Sequence, residues 1–310
     1  MRITSSPVPM EERDGYDYCA TLPKPAMKRI AIAIDRVDWH ARRLSAAFLA
    51  LGIAPFFVSL RDVAFTPAGL RFPELEGLPD AVFVRAIAAG SFEEVTRRLG
   101  VLHALAARGV AVWNSARAIE RCVDKSMTAF LLAAAGIPTP ETWTVEGWNA
   151  AAAVVAQAAT ELVLKPLFGA QGRGLRRLRN PEDLPPPDAV AGVYHLQRFV
   201  PPADDNRFCD YRLLICRGEL IAAMIRRSAE WVTNLHRGAC PVPFVPTPEM
   251  VALAARAAAA VGADYAGVDL IAAADGRILV LEVNSMPGWR GLQSVAEGSI
   301  ATALARRLVA

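Results

Sequence analysis

The 310-residue sequence predicts a mixed α/β and α+β fold, with a small parallel-sheet unit leading into a longer region of antiparallel hairpins. Three observations carry that expectation. Short apolar runs alternate with helical patterns near the N-terminus, hairpin signals stand at Arg217-Gly218 and Asp275-Gly276, and 53% apolar with 21% charged residues is a composition that buries a substantial core.

Arg29 to Ile34 reads as a first strand, Trp39 to Leu51 as a helix closed by Gly52, and Pro55 to Leu60 as a second strand, which makes a βαβ opening. Ala81 to Val84, a helix over Ser91 to Arg108 closed by Gly109, and Val110 to Trp113 repeat the alternation. Asp124 is a candidate N-cap for a helix running to Gly136, with Pro138 as its stop. Glu141 to Val145 and Leu162 to Lys165 read as strands around an alanine-rich helix from Trp148 to Ala159, and the proline-rich run Asn180 to Asp188 as a surface connection. Beyond Val193 strands and turns dominate, broken by a helix over Pro248 to Val261 and a terminal helix ending at Leu308. The expected division begins with a loose extension over 1–27 and an α/β unit over 28–122.

Charge and cysteine usage narrow the function. Lys plus Arg number 34 against 31 Asp plus Glu, a balance that gives no footprint for nucleic acid or an anionic membrane, and there is no charge-free apolar run long enough to span a bilayer. The partners are expected to be small molecules, and a homo-oligomer is compatible with the sequence. Cysteines 19, 122, 209, 216 and 240 form neither a C-x-x-C nor an even framework, which points to a reducing, cytoplasmic setting. Residues 1–27 carry Glu11, Glu12, Asp14 and Asp17 and do not read as a secretory signal.

Two apolar runs flank Asp275-Gly276, a strong hairpin signal. With those two residues as the turn, Ala274 faces Arg277 and Asp269 stands opposite Glu282. Alternation then leaves Asp269, Glu282 and Asn284 on one face and sends Val268, Leu270, Leu281 and Val283 to the other. Like charges opposite one another across a strand pair repel. A hard cation such as Mg²⁺ or Mn²⁺ would compensate, and a salt-bridged or water-exposed strand face is the alternative.

Gly169, Gly172 and Gly174 follow the strand that ends at Lys165 in a G-x-x-G-x-G order that fits neither a P-loop nor a Rossmann fingerprint. Such a loop can cover phosphates with backbone amides, or be an ordinary hairpin tip. Lys165 in an apolar strand and Lys125 in the first turn of a helix are both placed to meet an anion, or to snorkel to water. Asp210 and Arg212 share a face of the hairpin around Arg217-Gly218, whose second strand ends in Arg226 and Arg227. Clustered arginines of this kind neutralise charge in phosphoryl transfer, or are simply solvated at strand ends, the reading that suits Arg227 better. His236 has no evident triad partner, so a nucleophilic hydrolase is not supported.

The order Lys125, Lys165, the glycine loop, Gln197-Arg-Phe-Val200, Asp210-Tyr-Arg212, Asn234-Leu-His-Arg-Gly238, Gly267-Val-Asp269 and Glu282-Val-Asn284 resembles the ATP-grasp superfamily, and within it the RimK-like carboxylate-amine ligases. The resemblance implies a pre-ATP-grasp N-terminal domain and a two-lobed ATP-grasp fold, the small lobe over 123–195 bearing the glycine loop and the large lobe over 196–310 the metal site. It implies ATP and Mg²⁺ (or Mn²⁺) as cofactors. Lys125, Lys165, Gly169, Gln171, Gly172, Gly174, Gln197, Arg198, Phe199, Asp210 and Asn234 would bind the nucleotide, Asp269, Glu282 and Asn284 the metal, and Arg226 and Arg237 would serve the acyl-phosphate chemistry. The implied reaction phosphorylates a carboxylate and lets an amine displace the phosphate, with L-glutamate as amine and a methanopterin-type cofactor or a peptide terminus as acceptor. A non-ligating phosphotransferase and a nucleotide-binding regulatory module are the alternatives. The chain departs from the family at Val232, where an Arg is common, and at Asn284-Ser-Met-Pro-Gly288, where the family reads Asn-Ala-Ser-Pro-Gly.

Overall fold

A computed structural model describes residues 29–169, 172–202 and 208–310. Gln171 and the extension expected over residues 1–27 lie outside the described residues.

The chain opens with β1 (Arg29–Ala33), α1 (Trp39–Leu49), β2 (Ala54–Val58), a small hairpin β3 (Ala64–Thr66) and β4 (Gly69–Arg71), β5 (Ala81–Val84), α2 (Phe92–Ala107), β6 (Ala111–Trp113) and α3 (Ala116–Val123). Strands β2-β1-β5-β6 pair in that order, all parallel, as the alternating pattern predicts. Ile30 and Ile32 point to one face with Phe48 of α1, and Ala31 and Ala33 to the other with Leu102 and Leu105 of α2, so the sheet is covered on both sides. Ser91 closes the start of α2 with a capping box to Glu94. The β3–β4 hairpin and α3 were not anticipated from the sequence.

Next come α4 (Lys125–Ala134), β7 (Thr142–Glu146), α5 (Trp148–Gln157), β8 (Leu162–Lys165), β9 (Arg176–Leu178) and β10 (Val193–Arg198). The carboxylate of Asp124 accepts from the backbone N–H of Ser126 and Met127, which confirms it as the N-cap of α4. Strands β7-β10-β8-β9 form an antiparallel sheet packed on α5 through Leu164, Tyr194 and Leu196. Alternation sends those residues to the core and Lys165, His195 and Gln197 the other way.

The remainder comprises β11 (Phe208–Cys216), β12 (Glu219–Ser228), β13 (Cys240–Pro243), α6 (Pro248–Val261), β14 (Tyr265–Ala272), β15 (Ile278–Asn284), α7 (Arg290–Gln293) and α8 (Ile300–Val309). The sheet order is β13-β12-β11-β14-β15. The β11–β12 turn is Arg217-Gly218, both with positive φ (49° and 81°), the geometry that a two-residue hairpin demands. One face of this sheet packs on α6 through Leu213, Ile215 and Val268. The other face is divided: Leu214, Cys216 and Met224 join α8 and the N-terminal sheet in one continuous core, while Asp210, Arg212 and Arg226 occupy its far end.

The β14–β15 pairing corrects the predicted turn. Ala272 pairs with Ile278 and Ala273 accepts from Gly276, so the turn is one residue longer than Asp275-Gly276. An extra residue in β15 at the Asp269/Leu270 step restores the register, and Asp269 does stand opposite Glu282. The same bulge sends Val280 to the core and Leu281 to the cleft, the reverse of simple alternation.

Candidate active site

A cleft of about 310 Å³ lies between the second and third sheets, a size in the range of small-molecule sites. Its floor is built from four neighbouring strands. Arg226 on β12 faces Asp210 on β11, and in the next row Arg212 on β11 faces Asp269 on β14, which faces Glu282 on β15. Arg226 donates from Nε to Asp210 (2.6 Å) and from Nη2 to both Asp210 (2.5 Å) and Asp269 (2.9 Å). Arg212 grips Asp269 with two parallel bonds, and Thr233 donates to Asp210 at 2.6 Å. All four charged groups are buried, and their two carboxylates and two guanidiniums balance. Burial alone would raise the Asp269 pKa, but Arg212 and Arg226 outweigh it and hold the carboxyl below its ordinary range. Arg226 is correspondingly held protonated.

Gly267 makes this packing possible. A Cβ there would come within 3.1 Å of an Arg212 nitrogen and 2.8 Å of Pro287.

The roof is different. Lys165 donates to Gln197 Oε1 at 2.6 Å, and Lys125 to the carbonyls of Gly169 (2.8 Å) and Leu167 (3.3 Å), and among the described residues neither ammonium has a carboxylate partner. Burial is the main reason both lysines have lowered pKa values; Glu282 across the cleft works in the opposite sense. Gln197 also donates to Thr142. Phe199 stacks under the Arg177 guanidinium and meets Trp231 edge-on, and Arg198 pairs with Glu141.

The cleft thus gathers most of the residues expected from sequence: Lys125, Lys165, Gly169, Gly172, Gln197, Arg198, Phe199, Asp210, Arg226, Asn234, Asp269 and Glu282 all line it. Gly174, Arg237 and Asn284 do not. Gly174 has a positive φ (70°) and packs on Pro166; Arg237 is exposed and donates to the Gly172 carbonyl at 3.1 Å. Gly172 fits tightly against Val232 and Asn234, where a Cβ would come within 2.7 Å of either, so Val232 supplies a packing surface for the glycine loop in place of a polar contact. Sequence reasoning missed Cys122, Thr128, His195, Trp231 and Leu281 on the cleft walls. Strand alternation with Gln197 could have found His195, and the neighbouring Asn234 motif hinted at Trp231. The Cys122 thiol is pushed up to about 12 by burial and stays protonated.

The donor chemistry for a divalent cation is present. The Glu282 side chain has no hydrogen bond or ion pair with another described residue, and that of Asn284, two residues on, donates only a long bond to Gly267, with no described partner on its amide oxygen. Among the described residues no three His, Cys, Asp or Glu groups converge, so Asn284 is needed to complete a protein-derived set. An all-oxygen set of this kind fits a hard cation that keeps positions for water and phosphate.

A cleft between two α+β lobes, with two lysines above and carboxylate and amide oxygens below, has the chemistry to hold a polyphosphate together with a hard cation. The RimK-like ATP-grasp domain matches residues 122–308. Tetrahydromethanopterin:alpha-L-glutamate ligase of Methanosarcina acetivorans is 34% identical over 310 aligned positions, spanning 86% of this chain and 94% of that protein. A protein of Haemophilus influenzae named "Probable alpha-L-glutamate ligase" is 30% identical, spanning 65% of this chain and 68% of its own length. The structure of the ATP-grasp ligase PsnB complexed with a phosphomimetic variant of its minimal precursor, Mg and ADP superposes with a TM-score of 0.70 at 23% identity, covering 91% of this chain and 98% of that one, and supports the fold. The chain belongs to the RimK-like ATP-grasp family. It is an ATP-dependent carboxylate-amine ligase.

Proposed function

We propose that the enzyme adds L-glutamate to a carboxylate on a pterin-type cofactor, with Mg²⁺ as its metal and Mn²⁺ as a substitute. One observation carries the site reading: Lys125 and Lys165, free of carboxylate partners among the described residues, face the Glu282 carboxylate, which has no side-chain partner among them either, across the cleft. Coulomb repulsion between polyphosphate and Glu282 requires a cation between them, and the lysines supply the remaining charge. The pterin acceptor is preferred over a peptide terminus because similarity to the tetrahydromethanopterin ligase runs along most of both chains, whereas similarity to the other glutamate ligase covers about two thirds.

In this reading Lys125, Lys165, Gly169, Gln171, Gly172, Gly174 and Asn234 hold the phosphates, Gln197, Arg198 and Phe199 the adenine, and Asp210 the ribose side of the site. Asp269, Glu282 and Asn284 hold the metal, which when bound neutralises charge on the transferring phosphoryl group. A carboxylate oxygen attacks the γ-phosphorus, the bond to the bridging oxygen breaks and ADP leaves. The amine then attacks the acyl carbon, phosphate departs and the ammonium gives up a proton. Arg226 steadies charge at the floor and Arg237 closes the glycine loop. We take the domains as 28–122, 123–198 and 199–310, the second boundary moved from the expected 195/196 to the end of β10 because that strand belongs to the small-lobe sheet through Arg198, in a cytoplasmic enzyme without nucleic-acid partners. Among the described residues no helix is long and apolar enough to cross a membrane.

The test is coupled product analysis. ADP and phosphate should form only when a carboxylate acceptor and glutamate are both supplied, with a glutamyl adduct of the pterin seen by mass spectrometry. Turnover with a peptide terminus but no pterin would overturn the acceptor; ATP turnover without any amine would overturn ligation.

A further inference from the structure

His195 sits in the middle of β10, in register with Thr144 of β7 on one side and Lys165 of β8 on the other. It is 2% exposed and forms part of the cleft wall. Its Nδ1 lies 2.8 Å from the Thr144 hydroxyl. Nε2 has no partner among the described residues, yet it is not sealed in the core as the nitrogens of Arg85 and Trp289 are. A buried side chain whose one bare nitrogen opens onto a cleft is placed to meet a ligand, because burying that nitrogen without a bond would be unfavourable.

We propose that His195 is a nucleotide-contacting residue that donates its Nε2–H to a phosphate oxygen beside Lys165. The inference rests on the nucleotide reading of the cleft. Lys165 and Lys125 make this wall a place for an anion, and a phosphate oxygen only accepts hydrogen bonds, so the ring proton belongs on Nε2. The Thr144 hydroxyl, with no other side-chain bond among the described residues, can donate to Nδ1, as that tautomer requires. Burial, followed by Lys165 and Lys125, pushes the imidazole down to about 4, so it stays neutral near pH 7. A neutral donor adds a directed bond without setting a third cation against the two lysines.

Calorimetric titration of the full chain with ADP and with adenosine tests this. His195→Leu should weaken ADP about tenfold, the loss expected for one hydrogen bond to a charged group, while adenosine binding stays within about twofold. His195→Gln, which keeps an N–H donor, should recover part of the ADP affinity. Thr144→Val, which frees the ring without removing it, should weaken ADP a few-fold and leave adenosine alone; this arm decides the matter if His195→Leu does not fold. ADP binding unchanged in both variants would overturn the proposal, and so would equal losses of ADP and adenosine, which would mark His195 as a packing or base-contacting residue. A wild-type chain that binds neither ligand would instead overturn the nucleotide reading itself.

Discussion

The floor and the roof of the cleft solve opposite electrostatic problems. On the floor, Asp210 and Asp269 are matched by Arg212 and Arg226, and the set is neutral and buried. On the roof, Lys125 and Lys165 lean on carbonyls and an amide, and no carboxylate among the described residues pairs with either. A matched network positions groups; an unmatched charge, held at the expense of desolvation, binds something that arrives later. The two walls should therefore respond to mutation with opposite signs of stability, and four variants test that contrast.

Arg226→Met should give the largest loss. It leaves Asp210 without its ion-pair partner and Asp269 with only Arg212, and breaking a buried pair from one side is destabilising by about 3–5 kcal/mol. Urea unfolding measures this, and Arg226→Met combined with Asp210→Asn should recover part of it. Unchanged stability in Arg226→Met would erase the distinction between floor and roof.

Glu282→Gln comes next and moves activity instead. The Glu282 side chain has no partner to abandon among the described residues, so the melting temperature should hold or rise, while ADP release with all substrates saturating falls by about 10²–10³, the scale seen when one charge-stabilising group is removed from an active site. Isothermal titration with Mg²⁺ and ADP should show weakened metal binding. Retained turnover would reassign the metal.

These two residues also show how far the sequence could be read. The N-terminal βαβ pattern, the N-cap at Asp124 and the Arg217-Gly218 turn follow from local chemistry, and the structure reproduces them. The Asp269–Glu282 pairing was reached from a turn one residue too short, and the bulge in β15 made up the difference, because periodicity cannot reveal a single extra residue. That Arg212 grips Asp269 was not legible, since it depends on β11 lying between β12 and β14, a non-local arrangement that spacing along the chain does not encode. Trp231 reaches the cleft for a similar reason: its loop packs across the site near Phe199.

Lys165→Met should act in the opposite direction from Arg226→Met. The folded-state pKa of Lys165 lies below its ordinary 10.5, so between the two values the unfolded chain binds more protons and stability rises with pH. Below that window the buried ammonium is a net penalty that methionine removes. The ligand-free variant should be at least as stable as wild type at pH 7 and should lose the alkaline rise in melting temperature, while ADP affinity drops by about 10- to 100-fold. A less stable variant would mean that the Lys165–Gln197 bond outweighs desolvation, and the roof would then resemble the floor.

Arg237→Ala probes the seam between the walls and should have the smallest effect. Arg237 is exposed and reaches back to a single carbonyl, that of Gly172, at 3.1 Å. An exposed arginine bonded to one neutral acceptor contributes about 1 kcal/mol at most. Gly172 is also held by its fit against Val232 and Asn234, which the variant leaves in place. If Arg237 only latches the glycine loop, KM for ATP should rise about three- to fivefold with kcat preserved, since the loop would close over the phosphates less often. A fall in kcat of two orders of magnitude with KM unchanged would instead place Arg237 on the reacting phosphoryl group. It would then be a third unmatched cation, supplied from the floor side of the cleft, and the division between a positioning floor and a binding roof would have to be redrawn at the loop that joins them.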